Sequence, residues 1–208
     1  GKRKGTYNLK WRPLRELKKG DLIATAKNYP DKGRSFRLKH PKIITKAVGR
    51  NQFGVTYTLD ISHVYHKVSL PKKTSEDLMW LFGFYLGDGY ILHKKNRESK
   101  KISFAIPENQ LELIKYLETV LEKEFGYNLK GKYKYHVSMY STIVANFFEE
   151  NGFKGKAKTK KVPEWIYSLP KSELLSFLAG YTDADGGVRD HPKNHDVTLT
   201  SVNNELLE

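Results

Sequence analysis

The sequence predicts an α+β fold in which one helix-and-strand unit occurs twice, behind a small β-rich region. Three observations predict it. Two mostly apolar helical runs, 77–86 and 172–182, each lead into an aspartate followed by glycine. Each is then followed by strand-like segments in pairs. The two copies keep a constant offset of 97 residues, which marks an internal repeat.

Composition narrows the classes. The 208 residues hold 37 Lys+Arg against 23 Asp+Glu, a net charge of +14, with 13 Tyr and no Cys. Disulfide scaffolds, Cys-ligated zinc and cysteine nucleophiles are excluded. No run approaches the roughly 18 apolar residues of a membrane span. Gly1 to Thr6 is basic with no apolar run behind it, so a secreted protein is not expected and a cytoplasmic or organellar one is. At 38% hydrophobic the chain can build a core. The positive excess calls for a polyanionic partner, nucleic acid above all. Abundant Lys and Glu without Cys also fit a heat-adapted source. The charge is uneven: +15 over 1–74, −3 over 75–88, +7 over 89–162 and −5 over 163–208.

The elements follow in order. The first 74 residues are short pieces broken by Gly and Pro. Leu17 to Asp21 reads as a turn, and 53–59 and 64–70 read as strands. Pro71 with Lys72 and Lys73 reads as a linker. Thr74 or Ser75 caps the first helix, with Glu76 and Asp77 suiting its positive end. That helix is nearly all apolar and must be buried. Segments 90–94 and 101–106 are strands about a polar turn. Pro107 opens an amphipathic helix carrying Leu111, Ile114, Leu117, Val120 and Leu121, and Gly126 closes it. Residues 129–140 alternate as a strand does. Ser141 caps a helix over 143–150, and 152–161 is a basic loop. Pro163 opens a helical piece, 172–182 is the second apolar helix, 188–189 and 197–200 are strands, and Asn203 begins a helix. The expected domains are 1–74, 75–162 and 163–208.

The repeated segment carries the chemistry. Leu81 to Gly89 aligns with Leu178 to Gly186, pairing Gly83 with Gly180, Gly87 with Ala184, and Asp88 with Asp185. Small residues four apart let two helix backbones approach closely. Side by side, the helices would bring Asp88 and Asp185 together at their C-terminal ends. A carboxylate there opposes the helix dipole, and two repel each other. A divalent cation between them relieves both costs, and hard oxygen ligands favour Mg²⁺. Such a cation can bind a phosphate oxygen and activate water. A single copy would be better read as a buried helix ending in a glycine turn. Two copies with acids in register point to chemistry.

Leu178 to Gly186 resembles the LAGLIDADG signature of homing endonucleases, and Leu81 to Gly89 resembles a looser copy; the resemblance covers 75–208. Lys160-Lys161-Val162-Pro163 resembles the Lys-x-x-Pro block of intein-encoded members. The resemblance implies αββαββα repeats, the second incomplete, with the motif helices central and each sheet forming half a saddle on double-stranded DNA. Gly83, Gly87, Gly180 and Ala184 then form the helix interface. It implies Asp88 and Asp185 as catalytic acids and metal ligands, with Gly87 and Ala184 beside them at the metal. Lys160 is the implied catalytic lysine, with Lys161 as the alternative. Mg²⁺ is the implied cofactor, Mn²⁺ a substitute, and Ca²⁺ would support binding without cleavage. The expected DNA face is Lys101, Ser103, Lys130, Lys132, Lys134, His136, Ser138 and Tyr140, with Arg189 from the second repeat.

Trp11 to Ala24 resembles a segment of intein splicing domains, so 1–74 is either splicing-domain-like or an accessory DNA-binding region. His63 and His66 read as ordinary residues rather than a metal site. Splicing needs a nucleophile at the first residue and Asn at the last; Gly1 and Glu208 stand there, so splicing by that route is not expected. Only 23 residues follow Asp185, so the chain is expected to be a piece of something longer, and a monomer once its second repeat is complete. The implied activity is site-specific double-strand DNA cleavage. The alternatives are a non-cleaving RNA maturase or regulator, and an incomplete endonuclease insert from an intein.

Overall fold

The computed structural model describes residues 16, 18–21, 33–42, 46–50, 52–60, 68–93, 99–129, 135–191, 194–203 and 206. Of 46–49, 57–60, 190–191 and 194–195 it describes the backbone. The chain divides into two compact units, 1–31 and 32–208, where the sequence had suggested a boundary at 74/75. In the first unit the Lys18 amide donates to Asp21 Oδ2 at 2.9 Å and the Asp21 amide to Lys18 O at 3.0 Å, which is the expected turn. Trp11 and His63 and His66 lie outside the described residues.

The second unit is a mixed α+β structure. Its elements are β1 (Lys46–Arg50), β2 (Thr56–Asp60), α1 (Glu76–Asp88), β3 (Gly89–His93), β4 (Lys100–Phe104), α2 (Leu111–Phe125), β5 (Val137–Met139) and α3 (Thr142–Glu150). A 3-10 helix (Glu164–Ser168), α4 (Lys171–Asp185), β6 (Gly186–His191) and β7 (Asn194–Leu199) follow. Strands β3, β4 and β5 form an antiparallel sheet with β4 central. β1–β2 and β6–β7 are separate antiparallel pairs.

Helix α1 begins where Ser75 Oγ accepts from the Leu78 amide at 3.1 Å, so Ser75 is the cap. Thr74 serves elsewhere, its Oγ1 accepting from the Phe36 amide at 2.8 Å. All nine residues from Leu78 to Leu86 are buried, as their apolar run requires. Helix α2 starts at Leu111, later than Pro107 suggested. The Gln110 amide closes a turn onto Pro107 O at 3.0 Å, so Pro107 opens the turn and not the helix. Gly126 ends α2 in the left-handed conformation, φ 63.

The N-terminal strand assignments need correction. Phe53 lies in the tip of the β1–β2 hairpin, where Gly54 takes φ 81 and Arg50 Nε donates to its carbonyl at 2.9 Å. Of the expected strand at 64–70, residues 68–70 are irregular and the rest lie outside the described residues. Lys72 and Lys73 are no free linker. Lys72 O accepts from the Leu38 amide at 3.0 Å, and Lys73 bridges to Arg37. Residues 33–40 thus strap onto the core. Phe36 stacks on Trp165 with ring centroids 4.6 Å apart.

Asn151, just past α3, fastens this strap. Its Oδ1 accepts from the Lys39 amide at 2.9 Å, and its Nδ2 donates to Lys39 O at 2.9 Å and Phe147 O at 2.8 Å. Being buried, it leaves these groups unsatisfied when truncated. Asn151→Ala is therefore expected to cost about 2–3 kcal/mol, read as a lower urea midpoint with unchanged slope.

In the core, Phe82 of α1 packs into an aromatic cluster with Phe147, Phe148, Phe153 and Trp165, which Phe125 extends through Phe147. Helix α4 is less enclosed than its apolar run suggests. Leu175 and Leu178 are exposed, whereas their counterparts Leu78 and Leu81 are fully buried. Val188 and Val197, paired across β6–β7, are also exposed. In the first repeat α2 and α3 contribute buried side chains over the corresponding surfaces. No such cover exists for α4 among the described residues. None of the described helices is long and apolar enough to cross a membrane.

Candidate active site and nucleic-acid interface

The site begins with the contact between α1 and α4. A Cβ on Gly83 would lie 1.9 Å from Phe177 O, and one on Gly180 would lie 1.9 Å from Trp80 O. Trp80 and Phe177 share the repeat offset, so the helices meet as two like surfaces about a local twofold. A Cβ on Gly87 would lie 2.4 Å from Ala184 Cβ and 3.3 Å from Asp185 Oδ2. The four small residues thus form the expected interface, and only hydrogen at Gly83 and Gly180 permits this approach.

Both helices end at their aspartate, and each chain turns at once into a strand. The Ala105 amide donates to Asp88 O and the Thr200 amide to Asp185 O, each at 3.0 Å. The two acids are therefore held by equivalent backbone bonds. Thr200 Oγ1 adds a second bond to Asp185 O, and Tyr181 Oη donates to Thr200 O at 2.8 Å.

The electrostatics follow from this proximity. Asp88 is pushed up to about 6, first by burial and then by repulsion from Asp185, with Lys160 pulling it back. Asp185 is also raised, by burial, against the pull of Lys160. Lys160 is lowered to about 8 by burial, opposed by the two carboxylates. Two partly desolvated like charges stand beside a single ammonium, which is a strained arrangement that a cation would relieve. Among the described residues no cluster of three or more His, Cys, Asp or Glu side chains occurs. A cation here would find two carboxylates and complete its shell with carbonyl, water and phosphate oxygens. That donor set fits Mg²⁺, which keeps waters and takes one or two carboxylates.

Lys160 is the largest departure from expectation. The 152–161 loop is otherwise largely exposed, yet Lys160 is only 2% exposed. Its ammonium reaches Tyr85 O at 2.7 Å, Leu86 O at 2.9 Å, Gly87 O at 3.3 Å and Gly89 O at 2.5 Å. Lys161, the alternative, is exposed. Asn203, which sequence reasoning missed, donates from Nδ2 to Lys160 O at 2.6 Å. Asp183 was missed too. Its Oδ2 accepts from Trp80 Nε1 at 2.7 Å, so this second acid of the motif braces α1. The signal available was its place two residues before the aligned acid, matching Leu86 in the repeat.

On the sheet, register places Tyr90, Leu92, Lys101, Ser103, Ser138 and Tyr140 on one face and Ile91, Ile102, Val137 and Met139 on the other. Ile102, Val137 and Met139 are buried against the helices, as expected. Lys101 Nζ lies 5.2 Å from the Tyr140 ring centroid, and Tyr90 Oη is 3.2 Å from His136 Nδ1. Ser103 is a correction. It is fully buried at mid-strand, and its hydroxyl pairs with that of Ser138 at 2.8 Å. Tyr90 and Leu92 share the face and were missed. Lys130, Lys132 and Lys134 lie outside the described residues. Arg189 is exposed on β6 opposite Asp196, where the first sheet has Leu92 opposite Lys101.

Residues 172–208 match the LAGLIDADG-like domain, and that segment holds the second motif with Asp185. The match covers the last 37 residues, from the start of α4 onward. The match points to a nucleic-acid-related function, since LAGLIDADG domains are generally DNA-binding nucleases. Among curated relatives, an iron–sulfur cluster assembly SufBD family protein of Mycobacterium leprae is 28% identical over 202 residues, 95% of this chain and 20% of its own length. An uncharacterized protein of Methanocaldococcus jannaschii is 27% identical over 90% of this chain and 22% of its own length. A DNA polymerase of Thermococcus kodakarensis is 30% identical over 65% of this chain and 8% of its own length. The chain thus spans less than a quarter of the length of each of these relatives.

Proposed function

We propose that this LAGLIDADG-like chain is the nuclease part of an intein-type homing endonuclease that hydrolyses both strands of a specific DNA site. The observation carrying this is the pair Asp88 and Asp185, forced together at two abutting helix ends where each is raised. A pure binding module gains nothing from that cost. The intein-type reading draws on the relatives. Their names are unlike, iron–sulfur assembly in one and DNA polymerase in another, yet the matched piece is a minor part of each. Such a match follows a shared insert and not the activity of its host.

In this reading Asp88 and Asp185 would hold the divalent cation, while the Gly87 carbonyl beside them accepts from the Lys160 ammonium at 3.3 Å and is not a free ligand. When bound, the cation supplies a polarised phosphate oxygen and an activated water. The backbone bonds from Ala105 and Thr200 fix the main chain of the two acids at the helix ends, and in this reading each carboxylate serves one strand. Lys101, Tyr140, His136 and Tyr90 give the first sheet a basic and aromatic face toward the duplex, where lysine contacts phosphate and the others meet base edges. Ser138 is committed to Ser103 and contributes by packing.

The test is incubation with insertion-free host-locus DNA. Double-strand cutting is expected with Mg²⁺ or Mn²⁺, and binding without cutting with Ca²⁺. Binding without cutting in Mg²⁺ would instead assign the chain as a maturase or regulator.

A further inference from the structure

We propose that Lys160 is a positioning residue and not a proton carrier: its ammonium holds the last carbonyls of α1 and so fixes the backbone from which Asp88 faces Asp185. The inference rests on the reading of these two acids as a cation site, and it changes the role that the lysine's place in the sequence suggests.

The first argument is valence. An ammonium has three N–H donors. Four carbonyl oxygens, of Tyr85, Leu86, Gly87 and Gly89, already surround Lys160 Nζ within 3.3 Å. Every donor is engaged, so none is left for water or phosphate unless a backbone bond breaks.

The second argument is the need at that helix end. The last carbonyls of an α-helix lack intrahelical partners and carry the negative end of the dipole. Helix α1 has no basic residue in its last turn and ends on Asp88, which adds to the negative charge. Lys160 supplies from elsewhere in the chain the cation that α1 lacks. At the end of α4 a hydroxyl, Thr200 Oγ1, bonds to Asp185 O.

The third argument is that the lysine is itself held. Its amide donates to Lys156 O at 3.0 Å. Its carbonyl accepts from Asn203, a residue 6% exposed. Its ammonium lies 4.9 Å from the Tyr85 ring centroid. A group that shuttles protons needs room to move; this one is clamped at both ends. Asn203 belongs to the stretch after β7, so the second repeat reaches the first repeat's acid through this lysine.

Two variants test it in the full chain, Lys160→Met and Asn203→Leu. Amide hydrogen exchange over residues 85–90 is expected to rise about tenfold or more in both, and Mn²⁺ affinity, measured calorimetrically without DNA, to fall about tenfold. The double variant should fall by less than the product of the two, because they act through one network. Should Lys160→Met fail to fold, Asn203→Leu, which keeps the charge, decides alone. Loss of cleavage with exchange and Mn²⁺ affinity both unchanged would overturn the proposal and make Lys160 a proton carrier. Faster exchange with unchanged Mn²⁺ affinity would also overturn it, reducing Lys160 to a fold residue. If the wild-type chain binds no Mn²⁺, the cation reading fails, while exchange still decides whether Lys160 holds α1.

Discussion

Gly83→Ala and Gly180→Ala are each expected to cost about 3 kcal/mol or more, although each adds a single methyl group. The methyl would sit 1.9 Å from a backbone carbonyl of the facing helix, Phe177 O or Trp80 O. A backbone atom in a packed helix cannot swing aside as a side-chain tip does, so the helices must separate. Separation also pulls Asp88 from Asp185, so cation binding should fall with stability. Gly126→Ala is the control. Open space surrounds that position, but its φ of 63 is left-handed, so a loss of about 1 kcal/mol is expected there. Urea denaturation of the three variants ranks them; equal losses at all three would refute the close helix contact.

Asp88→Asn is expected to move stability and activity in opposite directions. Cleavage in Mg²⁺ should drop by about a thousandfold or more, because one of the two carboxylates proposed to hold the cation is gone. The metal-free protein should become more stable at neutral pH. Asp88 is raised to about 6 from an ordinary value of 3.8, so the fold favours its neutral form. The stabilisation is fully present below the ordinary value and is lost as pH rises through about 6. The metal-free wild type should therefore lose about 1–2 kcal/mol between about pH 4 and pH 7, a figure reduced for the group's partial exposure. Asp185 is raised as well and adds to the same slope. Asp88→Asn should flatten that slope, and Mg²⁺ should reverse it in the wild type alone. A metal-free stability that rises with pH over this window would sink the assignment.

Much of this architecture is legible in the amino-acid sequence. The 97-residue offset, the small residues four apart and the aspartates at matching places required two helices in contact with acids at their ends. Alternation around residue 138 correctly divided the sheet into a buried and an outer face. Periodicity failed where one strand was central. Ser103 has the parity of an outer residue, yet β4 lies between β3 and β5 and Ser103 faces Ser138 at hydrogen-bond distance. The 33–40 strap reads as part of a separate region because its bonds to Asn151 and Thr74 join residues far apart in the chain.

By itself, then, the sequence determined the repeated unit, the pairing of Gly83 with Gly180 and of Asp88 with Asp185, and a basic chain suited to nucleic acid. These rest on local spacing, and helix and strand periods translate spacing directly into faces. Only the tertiary structure decided which lysine is buried and what it does. Lys160 and Lys161 are adjacent and chemically identical. One lies 2% exposed among the carbonyls of α1, and the other is at the surface. That choice depends on where a loop meets the end of a helix far earlier in the chain, with Asn203 bonded to it from the far side. No local pattern encodes such a contact, because the carbonyls that create the need for a cation belong to every residue type alike.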